Sequence, residues 1–491
     1  MMSFFSSTWS WTGTCNPVDR IIDAHGIEMV ASLERKKTIA SCFVVSHDLE
    51  IFLSTQPPGA HPHLCAVHPS KTNIMKTHHM HAKTFMNHLL LLILAGMVTF
   101  TGCRKDHPVS ENPASLHLTP KQQALVYSGN DFGFNVLRLA DGANPGKNYC
   151  ISPLSISAAL GMTLNGANGT THKAMADVLG FSGMTNQEIN ETYKLLIDYL
   201  LNCDPKVVME IAQSIWYDHG FAILPLFIQV NQQYFYASMH PAHFDDPATV
   251  GMINQWVSTK THGKIPTIVD NIPEQAVMYL INAVYFKAAW KYKFDKSYTQ
   301  LAPFTLEDGS NVMVDMMRKE GDLEVLKNDL CEAIRMPYGS GKFAMVAVKP
   351  AEGKTLTDVL TSLDQSVWND WNNSFTNATK ATLYFPKFKF EYEEKLKDIL
   401  TSLGMGIAFT PGEADFSRIN SSMPLYINEV KHKTFIDVHE EGTEAAAVTA
   451  VEICLTSVND VFTFNEAFLF FIVEKESGFV TFSGKVFQPA Y

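Results

Sequence analysis

The chain has 491 residues, 46% hydrophobic and 18% charged, enough apolar sequence for one large buried core or two smaller ones and too much for a disordered protein. Its formal charge of -12, with no basic stripe interleaved with aromatics, argues against a nucleic-acid partner and for a soluble body.

Residues 75–102 read as an export signal. Lys76, Lys83 and several histidines make a polar start, and residues 89–100 are an apolar run of about a dozen, short of the roughly 20 that a spanning helix needs. Phe100-Thr101-Gly102-Cys103 then resembles a bacterial lipobox, in which the cysteine is acylated and becomes the mature N-terminus. That resemblance makes Cys103 a lipidation site and implies an exported protein, lipid-anchored to a bacterial membrane or cell surface and otherwise extracellular. An export signal must lie near the start of a nascent chain, so residues 1–74 are expected to be a translated upstream extension, with synthesis starting at Met75, Met80 or Met86. His61, His63, Cys65 and His68 have a metal-binding spacing, as do His78, His79 and His81, but both groups precede the processing point. No metal or cofactor is expected in the mature protein. Of the eight cysteines, Cys15, Cys42 and Cys65 fall in the same segment, and Cys150, Cys203, Cys331 and Cys454, widely spaced and without a CxxC, read as free thiols.

A polar tether, 103–117, carries Pro108 and Pro113 and leads to a single folded domain over 118–491. Apolar residues at spacings near three and four predict a helix over 122–140. Residues 149–162 run a short apolar strand into a helix, with Ser152 placed to cap it and Pro153 in its first turn. A short helix is expected over 170–179, a strand over 209–216 and a helix over 251–262 that carries Asn254, and an apolar run over 277–290 ends at Trp290. Another helix is expected over 396–403 before Gly404. Phe468-Leu469-Phe470-Phe471-Ile472-Val473, apolar on both faces, and Phe482-Ser483-Gly484-Lys485-Val486 predict a fully buried C-terminal hairpin.

Between the strand that holds His432 and this hairpin lies the stretch Glu440-Glu441-Gly442-Thr443-Glu444-Ala445-Ala446-Ala447-Val448-Thr449-Ala450-Val451-Glu452-Ile453-Cys454-Leu455-Thr456-Ser457. At period two, Thr443, Ala445, Ala447, Thr449, Val451 and Ile453 share one face while Glu444 and Glu452 take the other. It has the alternation of a strand and the composition of a loop. No HExxH, GxSxG, Walker A or GxGxxG pattern accompanies it, so no enzyme active site is read.

Together these motifs resemble the serpin family, in one register from about 118 to 489. The resemblance implies an α+β fold with a large, mixed, mostly antiparallel main sheet, further sheets, about eight or nine helices and an exposed reactive loop. It makes Glu440, Gly442, Thr443, Glu444, Ala445, Ala446 and Ala447 the hinge of that loop. It maps a sheet-opening cluster onto Ser152, Ser155, Asn254 and His432, and sets Trp290 at the top of the sheet. The implied function is serine-type endopeptidase inhibition as a suicide substrate, with the cleaved loop inserting into the sheet to trap the acyl-enzyme. Counting from the hinge and back from the hairpin gives Thr456–Ser457 as the reactive bond, with Leu455–Thr456 as the alternative. A short Thr456 suits an elastase-like or subtilisin-like partner rather than a trypsin-like one. A non-inhibitory serpin-fold binding protein and an inhibitor of papain-like cysteine proteases stay open, and the working form is expected to be a monomer.

Overall fold

The computed structural model describes residues 116–443 and 460–491, together with the backbone of three short strands before them. The chain divides into two units, Met1–Arg104 and Lys105–Tyr491. In the first, β1 (Asp19–Ile22), β2 (Glu28–Ala31) and β3 (Phe43–Val45) form an antiparallel sheet in that order. The export segment, Cys103 and residues 444–459 lie outside the described residues.

The second unit opens with α1 (Pro120–Ala143), which begins two residues before its predicted start because Thr119 and Gln122 form a capping box ahead of Pro120. There follow β4 (Tyr149–Ile151), α2 (Pro153–Leu164), α3 (Gly169–Val178), α4 (Asn186–Asn202), β5 (Val207–Asp218), α5 (Pro225–Phe235), β6 (Ser238–Ala242), α6 (Ala248–Lys260) and β7 (Met278–Ala289). The middle of the chain supplies β8 (Gln300–Thr305), β9 (Asn311–Lys327), β10 (Cys331–Pro337), β11 (Phe343–Pro350), α7 (Leu356–Ser362), α8 (Gln365–Ser374), β12 (Thr376–Pro386) and β13 (Phe388–Lys395). Last come α9 (Lys397–Leu400), β14 (Lys431–His439), β15 (Gly442–Thr443), β16 (Val461–Thr463), β17 (Phe468–Glu474) and β18 (Val480–Val486). The helix predicted over 396–403 is α-helical for one turn only. Gly404, at φ +113, interrupts it, and the chain winds on as a π turn over Thr401–Met405 and a 3-10 turn over Gly406–Phe409.

Two sheets carry the fold. One has nine strands in the order β16-β12-β9-β10-β11-β17-β18-β4, with β8 hanging on β9; the other has six, β13-β14-β15-β7-β5-β6. Each is mixed and mostly antiparallel, with one parallel pair, β12 with β16 and β5 with β6. The predicted hairpin is β17 and β18, buried along their whole length between β11 and the edge strand β4 of the nine-stranded sheet. The six-stranded sheet has apolar residues on both faces. Leu280, Val284, Phe286 and Ala288 of β7 pack into the main core, whereas Ile281 and Ala283 face a smaller cluster under α6 with Ile253, Val257 and Trp216. Among the described residues Cys150, Cys203 and Cys331 are buried and free; Cys454 lies outside them.

Candidate functional site

The site is the seam of the six-stranded sheet between β14 and β7. The two strands share no backbone pairing among the described residues; only β15 joins them, with Val438 and His439 on one side and Ala288 and Ala289 on the other. Gly442 makes this possible. It sits at φ +143, and a Cβ there would lie 2.2 Å from the Ala288 carbonyl oxygen and 2.7 Å from the Ala289 Cα. No other residue type could bring the backbone this close to β7. Thr443 follows with 4% exposure, its side chain on the core face beside Val438, and its Oγ1 lies 2.8 Å from the Tyr338 hydroxyl. Below it β14 and β7 continue without pairing to each other among the described residues. A cavity of about 10 Å3, room for at most one water, lies between Val284 and Phe286 of β7 and Phe435 of β14, under Ile265 just past α6.

The turn that delivers the hinge is fastened on all sides. The amide nitrogens of Trp290 and Phe294 donate to the carbonyls of Glu441 (2.9 Å) and Glu440 (3.1 Å). Trp290 is buried and directly follows β7. It stacks on Tyr338 at 4.3 Å and donates from Nε1 to the His439 carbonyl at 2.9 Å. Glu440 accepts from the Thr299 hydroxyl at 2.8 Å and pairs with Lys387; Glu441 pairs with Lys293 at 2.8 Å and Lys296 at 3.3 Å. Burial pushes both carboxyls up, but these partners more than offset it and hold both below the ordinary range.

A polar cluster ties the two seam strands to the start of α2. Ser152 caps that helix. Its Oγ accepts from the Ser155 amide at 3.2 Å and donates to the Thr481 carbonyl at 2.7 Å, while its own N–H donates to His432 Nε2 at 3.0 Å. Ser155 Oγ donates to Asn282 Oδ1 at 2.8 Å. His432 lies on β14 and Asn282 on β7, so the serines bridge the seam from beneath. Burial drives the His432 imidazole down to about 3, which keeps it neutral and able to accept the Ser152 N–H.

Asn254, assigned to this cluster from the sequence, is not in it. It lies on α6, where its Nδ2 donates to the Val269 carbonyl at 2.7 Å and its Oδ1 accepts from the amides of Ile268 (2.8 Å) and Val269 (3.0 Å). The side chain is fully used in pinning the segment after α6, and Asn282 takes the assigned place because its own strand runs over α2. Asn282 had a legible signal, an amide inside the otherwise apolar Leu280-Ile281-Asn282-Ala283, where a half-buried polar group needs a partner. Tyr338 and Glu441 were also missed as parts of the site. Of the predicted hinge, Glu440 lies in the turn after β14 and Gly442 and Thr443 form β15; Glu444, Ala445, Ala446, Ala447, Leu455, Thr456, Ser457 and the lipidation residue Cys103 lie outside the described residues. Among the described residues, no group of three or more His, Cys, Asp or Glu could hold a metal, and no helix is long and apolar enough to cross a membrane.

The family model described as serpin (serine protease inhibitor) matches residues 127–489. Intracellular coagulation inhibitor 2 of Tachypleus tridentatus is 32% identical over 401 residues, covering 79% of this chain and 96% of the relative. Among solved structures, the thermophilic serpin tengpin in its native state is similar with a TM-score of 0.69 and 32% identity, covering 76% of this chain and 96% of that one. Human thyroxine-binding globulin in complex with thyroxine gives a TM-score of 0.70 and 27% identity, covering 76% of this chain and 100% of that one.

Proposed function

The chain belongs to the serpin family, whose members are in general protease inhibitors that act as suicide substrates, and from that premise we propose that it traps serine endopeptidases of elastase-like or subtilisin-like preference. The observation that carries this reading is the hinge itself: Gly442 and Thr443 already sit as the first two residues of an incoming strand, hydrogen-bonded on both sides. Continuing that antiparallel register would bring Ala445 between Ile436 and Phe286, Ala447 between Thr434 and Val284, and Thr449 between His432 and Asn282. Every position on the core face is small or uncharged, so no buried charge stalls entry. The larger neighbours, Ile436 and Phe286, meet alanine.

In the mechanism, a protease attacks the exposed Thr456–Ser457 bond, with Leu455–Thr456 as the alternative, and forms an acyl-enzyme. Insertion from Thr443 to Thr456 then carries the tethered enzyme about 45 Å along the sheet at roughly 3.3 Å per residue. The serine–histidine–asparagine bridge under the seam must release for β14 and β7 to part, which gives the native state a barrier against premature insertion. The same reading has the protein exported, held to a membrane through lipid on Cys103, and monomeric, with residues 103–117 as spacer.

Incubation with pancreatic elastase and with subtilisin, followed by a denaturing gel and mass spectrometry, tests the reading. A covalent complex and a released peptide from Ser457 to Tyr491 are expected. Cleavage at that bond without complex would favour a non-inhibitory binding protein, the class for which thyroxine-binding globulin is the structural neighbour. A complex formed only with a papain-like enzyme would replace the serine-protease assignment.

A further inference from the structure

Beside the hinge, two large aromatic side chains are left open to solvent and are braced by cations. Tyr292 is 55% exposed and Tyr298 52%. Lys319 of β9 donates to the Tyr292 carbonyl at 2.8 Å, with its Nζ 5.1 Å from the Tyr292 ring and 5.9 Å from that of Phe294. Lys291 Nζ also lies 5.6 Å from the Tyr292 ring, and the Arg318 guanidinium lies 5.5 Å from the Tyr298 ring while pairing with Glu320. These contacts hold two amphipathic rings in fixed orientations, a low-entropy arrangement typical of protein-recognition surfaces. Lys291 and Lys319 set positive charge beside the rings, while Arg318 pairs with Glu320 and Lys293 and Lys296 pair with Glu441.

Its position says what covers it. On one side it reaches the hinge turn, through Lys293 and Lys296 on Glu441. On the other, Arg318 and Lys319 stand opposite Tyr384 and Leu383 of β12, which in turn pair with Thr463 and Phe462 of β16, where the loop re-enters the sheet. Two strand spacings, about 10 Å, separate the patch from that edge. Ser457 precedes Val461 by four residues, at most about 14 Å of chain. An endopeptidase of about 220 residues is about 40 Å across, so one that closes on the bait bond is large enough to reach the patch.

We propose that Tyr292 and Tyr298, braced by Lys319 and Arg318, form a second contact surface for the target protease, one that selects enzymes with acidic residues on the rim of the active-site cleft. The inference rests on the loop being protease bait, and it adds a specificity determinant outside the loop. Such a surface acts on encounter, raising the association rate without altering the partition between trapping and escape.

The test uses the full protein and two subtilisins matched in specificity, one with an acidic surface and one basic. Tyr292→Ala with Tyr298→Ala should slow the second-order reaction with the acidic enzyme at least fivefold, at unchanged stoichiometry and unchanged melting temperature. Lys291→Glu should slow the acidic enzyme and speed the basic one, with the difference shrinking in 0.5 M salt (about one Debye length of 4 Å). Rates within twofold of the parent for both variants and both enzymes overturn the proposal. If the parent protein is cut without forming a covalent complex, the inhibitor reading fails on its own. The patch is then judged on kcat/KM for cleavage of the bait bond, which must fall in the double variant for the proposal to stand.

Discussion

Replacing Thr443 by arginine should turn the protein from an inhibitor into a substrate. Thr443 is buried on the core face between Val438 and Ala288, with its hydroxyl on Tyr338. The nearest acid on β14, Asp437, neighbours Val438 and so projects from the opposite face of the strand. An arginine would therefore be driven out of the sheet in the native state and would have to re-enter it unpaired on insertion, at a cost of several kcal/mol. It would also leave the buried Tyr338 hydroxyl without its partner, about 1 to 3 kcal/mol more. Even an added barrier of only about 3 kcal/mol slows insertion about a hundredfold, while deacylation of the bound enzyme is untouched. The stoichiometry of inhibition with elastase or subtilisin should then rise from near one to tens or more, read by titration and by the ratio of complex to cleaved band on a denaturing gel. Thr443→Val combined with Tyr338→Phe is the control: it removes both hydrogen-bonding partners and should be close to neutral. An arginine variant that still traps enzyme at parental stoichiometry would refute the argument that the core-facing hinge position governs entry.

His432 makes stability pH-dependent. The imidazole is neutral in the fold, with its pKa at about 3 against an ordinary 6.5, so the unfolded chain takes up the proton first as pH falls. This contribution is complete above about pH 6.5 and is lost progressively down to about pH 3, and melting temperatures between pH 7.5 and 4 should fall more steeply for the parent than for His432→Asn. Gly442→Ala should drive the hinge out of the sheet, because the new Cβ collides with the Ala288 carbonyl; limited proteolysis around the hinge should accelerate, and an unchanged digestion pattern would contradict the packing. Cys103→Ser should abolish partitioning into a detergent phase without changing inhibition, since each acyl methylene buried in a membrane contributes about 0.8 kcal/mol. Equal partitioning of both forms would remove the lipid anchor.

Chain order and local chemistry already carried much of this protein. The cap at Ser152, the doubly apolar β17 with its partner β18, the glycine before Thr443 and the alternation after it are all properties of neighbouring residues, which a linear reading can see. So is the core-facing side of Thr443, because a strand's period of two assigns its faces before any partner is known. The tertiary structure decided what depends on meetings between distant segments. Asn254 and Asn282 are both amides in amphipathic or apolar surroundings, and only the path of β7 over α2 makes the second, not the first, reach Ser155. Tyr338, more than a hundred residues before Thr443, becomes its partner because the chain after β10 folds back against Trp290. The unpaired seam below β15 is likewise a matter of how two distant strands are placed, and the sequence of either one says nothing of the gap between them. Hydrogen bonds and packing act over a few ångströms whatever the separation along the chain, so the sequence could name the groups in need of partners but not which distant group would arrive to meet them.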